Sequence, residues 1–235
     1  MRRRLLLLRH GEVDYFPGGR PVPPEGVGLT ERGRAQAEAV GELLRGVPLD
    51  RAVHSGLRRT QETAEIALKG RSVPLEAWPE FQEIRPGRLK DLEDPKEAFL
   101  QAFFPRDPSD RFLGGERYGD FLDRVLAAYA RLLAQPWDTL LLVAHGGVIR
   151  AILSYALTGK PILLPLEVHP CGLSVLDMDE ERAFLRLHNL TPYELLPQER
   201  RTTMEALWEA YRWEGRDPQN LHLLHSLHKP AFPLI

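Results

Sequence analysis

The sequence predicts an α/β fold, a three-layer sandwich in which helices flank a mostly parallel central sheet. Two observations lead to this prediction. Leu5–Leu8 and Thr139–Ala144 are short, almost wholly apolar runs, which are typical of strands buried on both faces of a parallel sheet. Strand-like and helix-like segments also alternate along the chain, as they do in layered α/β proteins.

The first half of the chain alternates between strand and helix. A first strand leads into a loop rich in proline and glycine over residues 14–29. Thr30 is the expected N-cap of the next helix, and Glu31 is an acid in its first turn. The predicted elements of this half are a strand at Leu5–Leu8, a helix from Thr30 to Gly46, a strand at Leu49–His54 and a helix at Leu57–Leu68.

The second half begins with residues 86–115, which are rich in proline, aspartate and arginine. Within them, Phe99, Phe103 and Phe104 are predicted to share a short helical stretch. The elements predicted after it are a helix from Arg117 to Ala134, a strand at Thr139–Ala144, a helix at Val148–Leu157, and strands at Leu173–Met178 and Ala183–His188.

Composition excludes several classes of function. The 31 Lys and Arg residues nearly balance 33 Asp and Glu residues, so nucleic-acid binding and membrane-surface binding are not expected. The single cysteine, Cys171, excludes an intramolecular disulfide and any cysteine-clustered metal site. Arg2–Arg4 and Leu5–Leu8 resemble the start of a signal peptide, but the apolar run is too short, so a cytoplasmic location is predicted.

The main functional signal is a buried strand that ends in histidine and glycine, and it occurs twice. The two copies are Leu8-Arg9-His10-Gly11 and Ala144-His145-Gly146-Gly147. A third strand end, at His54-Ser55-Gly56, leads into a helix that carries Arg58 and Arg59. Because ligands of open parallel sheets bind beyond the carboxyl ends of strands, these residues should share one edge and meet if the strands are neighbours.

Two histidines and two arginines at such an edge can bind a tetrahedral oxyanion. A neutral imidazole can attack phosphorus through one ring nitrogen while the other nitrogen donates to a backbone carbonyl. Arginines neutralise the oxygens of a transferring phosphoryl group, and a second histidine would do the same if it were protonated. Backbone N–H groups at the helix start near Gly147 add positive potential. This chemistry requires no metal ion and no other cofactor.

Several further segments accompany these strand ends in a fixed order. They are Gly28–Gly33, Ser55–Ala64, Gly115-Glu116 and Asn189–Thr191. Together with Leu8–Glu12 and Ala144–Gly147, this ordered set resembles the motifs of the histidine phosphatase superfamily, the phosphoglycerate-mutase-like proteins. The resemblance covers about residues 4–196 and implies phosphoryl transfer through a phosphohistidine intermediate.

The resemblance also implies a role for each site residue. His10 would be the phosphorylated nucleophile, and Glu83 would protonate the leaving oxygen and later activate water, with Glu80 as the alternative acid. The catalytic residues would be His10, Glu83 and His145, and the phosphate ligands would be Arg9, Arg59 and the N–H of Gly146.

Two departures from the family pattern matter. The asparagine that many relatives carry shortly after Arg-His-Gly is absent from Val13–Pro17, so its phosphate contact is lost or supplied elsewhere, with Arg20 as one candidate. The longer insert of the glycolytic mutase is not evident between Glu83 and Gly115. Hydrolysis of a phosphomonoester is therefore favoured over a phosphoglycerate mutase reaction, and a non-catalytic module that binds a phosphorylated ligand is the third alternative.

The sequence also predicts the domain organisation and the partners. Residues 1–196 are predicted to form the catalytic α/β domain, and residues 197–235 a C-terminal helix and tail packed on it, with a lid as one role. Apolar residues at helical spacing place an amphipathic helix at residues 200–213, whereas His222, His225 and His228 are not expected to converge on a metal. The expected partner is a small phosphorylated metabolite, and a homodimer is a candidate assembly.

The substrate itself is not evident from the sequence. Tyr15 and Phe16, together with Phe103 and Phe104, are candidates for its apolar side, although core packing explains the last two equally well.

Overall fold

The computed structural model describes residues 2–17 and 22–213. In this part of the chain a six-stranded sheet has the strand order β3-β2-β4-β1-β5-β6. Its strands are β1 (Arg3–Arg9), β2 (Arg51–His54), β3 (Leu75–Ala77), β4 (Thr139–Ala144), β5 (Leu173–Met178) and β6 (Ala183–Leu190). Strands β3, β2, β4 and β1 are parallel, while β5 pairs antiparallel with β1 and β6 pairs antiparallel with β5, so the mostly parallel sheet is confirmed.

Helices cover both faces of the sheet. They are α1 (Glu31–Leu44), α2 (Arg58–Ala67), α3 (Pro95–Leu100), α4 (Tyr118–Leu133), α5 (Gly146–Thr158) and α6 (Thr203–Trp213). Successive side chains of β1 point to opposite faces. Leu6 and Leu8 therefore pack with α1 and α2, whereas Leu5 and Leu7 pack with α4 and α5, which gives the predicted three layers.

Several element boundaries differ from the prediction. Strand β3 was not predicted, because it is a three-residue edge strand with little burial and no periodic pattern. Helix α3 ends at Leu100, so the helical placement of Phe103 and Phe104 is wrong. Phe103 has a φ of 66°, and its N–H donates to the Tyr118 hydroxyl at 2.9 Å, a tertiary contact that no local pattern announces. Helix α5 begins two residues before Val148.

Helix α6 packs on the main body. Met204 is buried, and the ring centroids of Trp208 and Tyr211 lie 5.8 and 5.7 Å from that of Phe99 in α3. The helix predicted at residues 200–213 is thus confirmed from Thr203 onward. The domain boundary near residue 196 and the lid role stay predictions, and His222, His225 and His228 lie outside the described residues.

Candidate active site

Strand register brings three strand ends together. Arg9 at the end of β1 pairs with Ala144 at the end of β4, so the next residues, His10 and His145, are neighbours. Their ring centroids are 5.2 Å apart. On the other side of β4, His54 pairs with Val143, which places Ser55 of the β2 end beside the same edge. The convergence expected from the sequence therefore depends on β4 lying between β1 and β2.

His10 has the geometry of a nucleophile. Its Nδ1 lies 2.8 Å from the carbonyl oxygen of Gly11, and because a carbonyl only accepts, Nδ1 carries the proton. The lone pair of Nε2 is therefore available. Burial, together with the positive charges of Arg59 and Arg9, holds the pKa of His10 well below its usual range. The imidazole is consequently neutral at neutral pH, as nucleophilic attack requires.

His145 is held by a directed chain of hydrogen bonds. Its Nδ1 accepts from Arg59 at 3.4 Å, so Nε2 carries the proton and donates to Ser55 Oγ at 2.8 Å. Ser55 then donates to Thr60 Oγ1, which in turn donates to the Leu57 carbonyl at 2.7 Å. Ser55 belongs to a strand-end motif, but no pattern in the sequence assigned it this contact.

The sequence predicts a role for His145 in neutralising phosphoryl oxygens if its ring is protonated. Burial and the charge of Arg59 hold the pKa of His145 well below its usual range, so the ring is neutral in this structure. A phosphoryl dianion beside the ring would raise that pKa, because an opposite charge favours the protonated form. His145 can therefore gain a proton when an anion binds.

Arg9 and Arg59 belong to this region and carry unpaired donors. Among the described residues, the Nε atoms of Arg9 and Arg59 are buried and have no hydrogen-bond partner, and the same is true of those of Arg51 and Arg150. Arg59 also donates to the Pro24 carbonyl at 2.6 Å, and its guanidinium carbon lies 5.8 Å from the Tyr15 ring centroid. Buried unpaired donors are costly, and a bound ligand can supply the missing acceptor. A tetrahedral oxyanion has acceptor oxygens for more than one such donor.

Glu83 lies at the N-terminus of α5. Its carboxylate accepts from the N–H groups of Gly147 at 2.9 Å and of Ile84 at 3.0 Å. Burial raises the pKa of Glu83, and it outweighs these two hydrogen bonds and the charges of Arg9 and Arg59, which lower it. A carboxyl group with a raised pKa beside a neutral imidazole is suited to donate a proton.

Glu80 is in a different environment. Its carboxylate pairs with Arg131 of α4 at 2.9 Å. A hydrogen bond from its own backbone N–H, together with Arg131, lowers the pKa of Glu80. Glu80 is thus held in its charged form in a partly exposed ion pair, whereas Glu83 is buried at the start of α5, and these environments favour Glu83.

The site is enclosed in this structure. His10 is only 3% exposed and His145 is fully buried. The loop after β1 contributes Tyr15 and Phe16, and the Phe16 ring centroid lies 6.3 Å from that of Tyr211 in α6. Of the other aromatic candidates, Phe103 is buried and Phe104 is exposed, while Arg20 lies outside the described residues.

No metal-binding cluster is evident in residues 2–17 and 22–213, where no group of three or more His, Cys, Asp and Glu side chains could hold an ion. Arg9, Arg59 and the N-terminal end of α5 supply positive charge at the site.

A family model of the histidine phosphatase superfamily (branch 1) matches residues 5–191. The chain belongs to the histidine phosphatase superfamily. The strand-end histidines and arginines described above all lie within the matched region. This histidine phosphatase is therefore an enzyme with phosphatase or mutase-like activity on small phosphorylated substrates.

Individual relatives agree with this assignment. The chain is 33% identical to the adenosylcobalamin/alpha-ribazole phosphatase of Salmonella typhimurium over 166 residues, which cover 66% of this chain and 80% of that protein. It is 29% identical to a probable phosphoglycerate mutase of Salmonella paratyphi A, over 76% and 86% of the two chains.

Solved structures share the fold of this histidine phosphatase. A putative alpha-ribazole-5'-P phosphatase from Escherichia coli superposes with a TM-score of 0.66 at 29% identity, covering 80% of this chain and 96% of that one. A mycobacterial glucosyl-3-phosphoglycerate phosphatase gives a TM-score of 0.66 at 28% identity, with coverages of 80% and 99%. Relatives named as phosphatases thus support phosphomonoester hydrolysis, with the mutase reaction as a minor alternative.

Proposed function

We propose that this chain hydrolyses a small phosphomonoester through a phosphohistidine on His10, without a metal ion. One observation carries the proposal. The unprotonated Nε2 of a neutral His10 shares an edge of the sheet with two arginines that have buried, unpaired Nε–H groups. A nucleophile and an oxyanion-binding site are thus adjacent.

The first step forms the phosphohistidine. The Nε2 lone pair of His10 attacks phosphorus while the bond from phosphorus to the ester oxygen breaks. Glu83 gives its proton to that oxygen, so the products are an alcohol, phosphohistidine and the Glu83 carboxylate. Arg9, Arg59, the Gly146 N–H and a protonated His145 would stabilise the negative charge of the transferring group.

The second step releases phosphate. The Glu83 carboxylate takes a proton from a water molecule, whose oxygen attacks phosphorus. The bond between phosphorus and Nε2 breaks, which returns neutral His10, protonated Glu83 and inorganic phosphate. One carboxyl group can serve both steps because the alcohol and the water occupy the same side of phosphorus in turn.

Glycine at position 147 allows Glu83 to sit this close to α5. A Cβ there would overlap Oε1 of Glu83 and lie 2.7 Å from Cε1 of Phe103. We expect Gly147→Ala to lower kcat/KM by about 10²-fold, because displacing an acid by an ångström costs that much. Phosphate release from an alkyl phosphate, whose leaving oxygen needs a proton, is measured beside thermal unfolding and checks this expectation.

Gly46→Ala is the matched control, since a Cβ on Gly46 meets no atom within 4 Å. It should leave activity unchanged. An active Gly147→Ala enzyme would contradict the placement of Glu83.

The phosphatase and the mutase reactions differ in the acceptor that takes the phosphoryl group from His10. A mutase must return the phosphoryl group to a bound acceptor and exclude water, and two observations favour this alternative, the low exposure of His10 and the relative named as a probable mutase. The names of the relatives weigh more toward hydrolysis. Alpha-ribazole phosphate and glucosyl-3-phosphoglycerate are therefore the first substrate classes to test.

A panel of phosphate esters distinguishes the phosphatase reaction from the mutase reaction. Each ester, including 3-phosphoglycerate, is incubated with the enzyme in the presence and absence of EDTA. We expect release of inorganic phosphate at a rate that EDTA does not change. Isomerised 3-phosphoglycerate without phosphate release would instead identify a mutase, and loss of activity in EDTA would contradict metal independence.

The remaining predictions concern location and assembly. No helix among the described residues has the length and apolar character that crossing a membrane requires. A cytoplasmic location and a homodimer stay predictions from the sequence.

A further inference from the structure

The first residue of α6 contacts one of the arginines of the active site. Thr203 Oγ1 accepts a hydrogen bond from the Arg9 guanidinium at 3.1 Å. The same hydroxyl lies 2.6 Å from Oε1 of Glu167, and because a carboxylate only accepts, the hydroxyl proton points to Glu167. The oxygen lone pairs of Thr203 are therefore turned toward Arg9.

Glu167 is itself fixed on several sides. It accepts from the backbone N–H of Thr203 at 3.2 Å and from Arg150 of α5 at 3.2 Å. Arg150 is largely buried, and its guanidinium carbon lies 4.7 Å from the Phe103 ring centroid. The orientation of the Thr203 hydroxyl is thus set by groups that belong to the main α/β body.

Helix capping does not account for Thr203. The adjacent Thr202 performs that task, since its hydroxyl accepts from the N–H of Glu205 while the Glu205 carboxylate accepts from the N–H of Thr202. This reciprocal pair is a capping box. The side chain of Thr203 is therefore free to serve another purpose, and it reaches Arg9 across 194 positions of sequence.

The contact has a consequence for Arg9. One terminal nitrogen of its guanidinium donates to Thr203 and to the Val168 carbonyl, so both hydrogens of that nitrogen are used. The Nε–H of Arg9 is left buried and unpaired. A planar guanidinium held at one nitrogen has its remaining edge fixed in direction.

We propose that Thr203 and Glu167 are positioning residues that orient Arg9 for the phosphoryl oxygens, so that docking of α6 completes the oxyanion site. This inference rests on the proposed function, because it takes Arg9 as a phosphate ligand. It assigns α6 a part in binding the transferred group, in addition to packing.

The test removes the Thr203 hydroxyl while keeping its shape. We expect Thr203→Val to weaken inhibition by inorganic phosphate and by vanadate about tenfold, as for the loss of one hydrogen bond to a charged group. Thr203→Ser keeps the hydroxyl and should stay within about twofold of wild type. Thr158→Val is the matched control, because it removes a hydroxyl from the C-terminal end of α5, whereas the N-terminal end of α5 lies at the active site.

A double-mutant cycle separates positioning from a general loss of structure. Arg9→Lys, Thr203→Val and the double variant are compared by their inhibition constants for vanadate. If Thr203 acts through Arg9, the valine substitution should have almost no further effect in the Arg9→Lys background. Additive effects would overturn the proposal, and so would equal losses in Thr203→Val and Thr203→Ser.

Failure of the proposed function would look different. Wild-type protein that neither hydrolyses p-nitrophenyl phosphate nor binds vanadate would refute the phosphatase mechanism itself. An active wild type whose Thr203→Val variant binds vanadate equally well would refute only the role of Thr203.

Discussion

Replacing His10 with alanine should lower kcat/KM toward every phosphate ester by at least about a thousandfold, because loss of a covalent nucleophile removes the whole reaction path. The protein should still fold, since His10 lies at a strand end and, within the described part of the chain, its side chain makes one hydrogen bond, to Gly11. Stopped reactions with labelled substrate measure the effect directly. Wild type should carry an acid-labile phosphohistidine, and His10→Ala should carry none.

The matched control is His54→Ala. His54 is also buried, at the end of β2, but its Nδ1 accepts from the N–H of Gly56 in its own loop. Both substitutions remove a buried imidazole, whereas only His10→Ala removes the nucleophile. Turnover by His10→Ala that persists in EDTA would disprove the phosphohistidine mechanism.

Glu83→Gln should lower kcat toward alkyl phosphates by about 10²–10⁴-fold, the range expected for loss of a general acid. The single oxygen of glutamine can still accept from the Gly147 N–H, so the contact with α5 should survive, whereas the contact with the Ile84 N–H is lost. The formation of phosphohistidine from p-nitrophenyl phosphate should be affected less, because p-nitrophenolate leaves without a proton. A burst of p-nitrophenol followed by slow turnover is therefore the expected signature.

The pH profile gives an independent check. Activity should fall at alkaline pH as Glu83 loses its proton. Because burial raises the pKa of Glu83 above 4.5, this alkaline limb of the pH profile should lie at a higher pH than for an exposed glutamate. Activity should fall at acid pH as His10 gains a proton, and this pKa lies well below 6.5. Glu83→Gln should lose the alkaline limb and keep the acid one.

Glu80→Gln is the control for the assignment of the acid. The Glu80 carboxylate pairs with Arg131 on the surface of α4, so its loss should change kcat by less than about twofold and leave both limbs in place. A large loss in Glu80→Gln with little effect in Glu83→Gln would reverse the assignment.

Much of the fold could be predicted because strand and helix periodicities are local. Strands β1 and β4 are apolar at successive positions, and Thr30 caps α1 with a hydrogen bond from the Gly33 N–H at 3.0 Å, as its position indicates. Strand β3 and the backbone turn at Phe103 could not be predicted. Both depend on contacts with distant segments, β2 in one case and Tyr118 in the other.

The sequence by itself determined which chemical groups stand at the ends of the strands. His10 and His145 follow directly on buried apolar runs, so local pattern was sufficient to place both histidines at one edge of the sheet. Tertiary structure alone decided the hydrogen-bond partners and the charge states of these groups. Strand register placed Ser55 against His145, burial distinguished Glu83 from Glu80, and docking of α6 brought Thr203 to Arg9. The physical reason is that charge state and hydrogen-bond direction depend on neighbours brought together by packing, which local propensity does not encode.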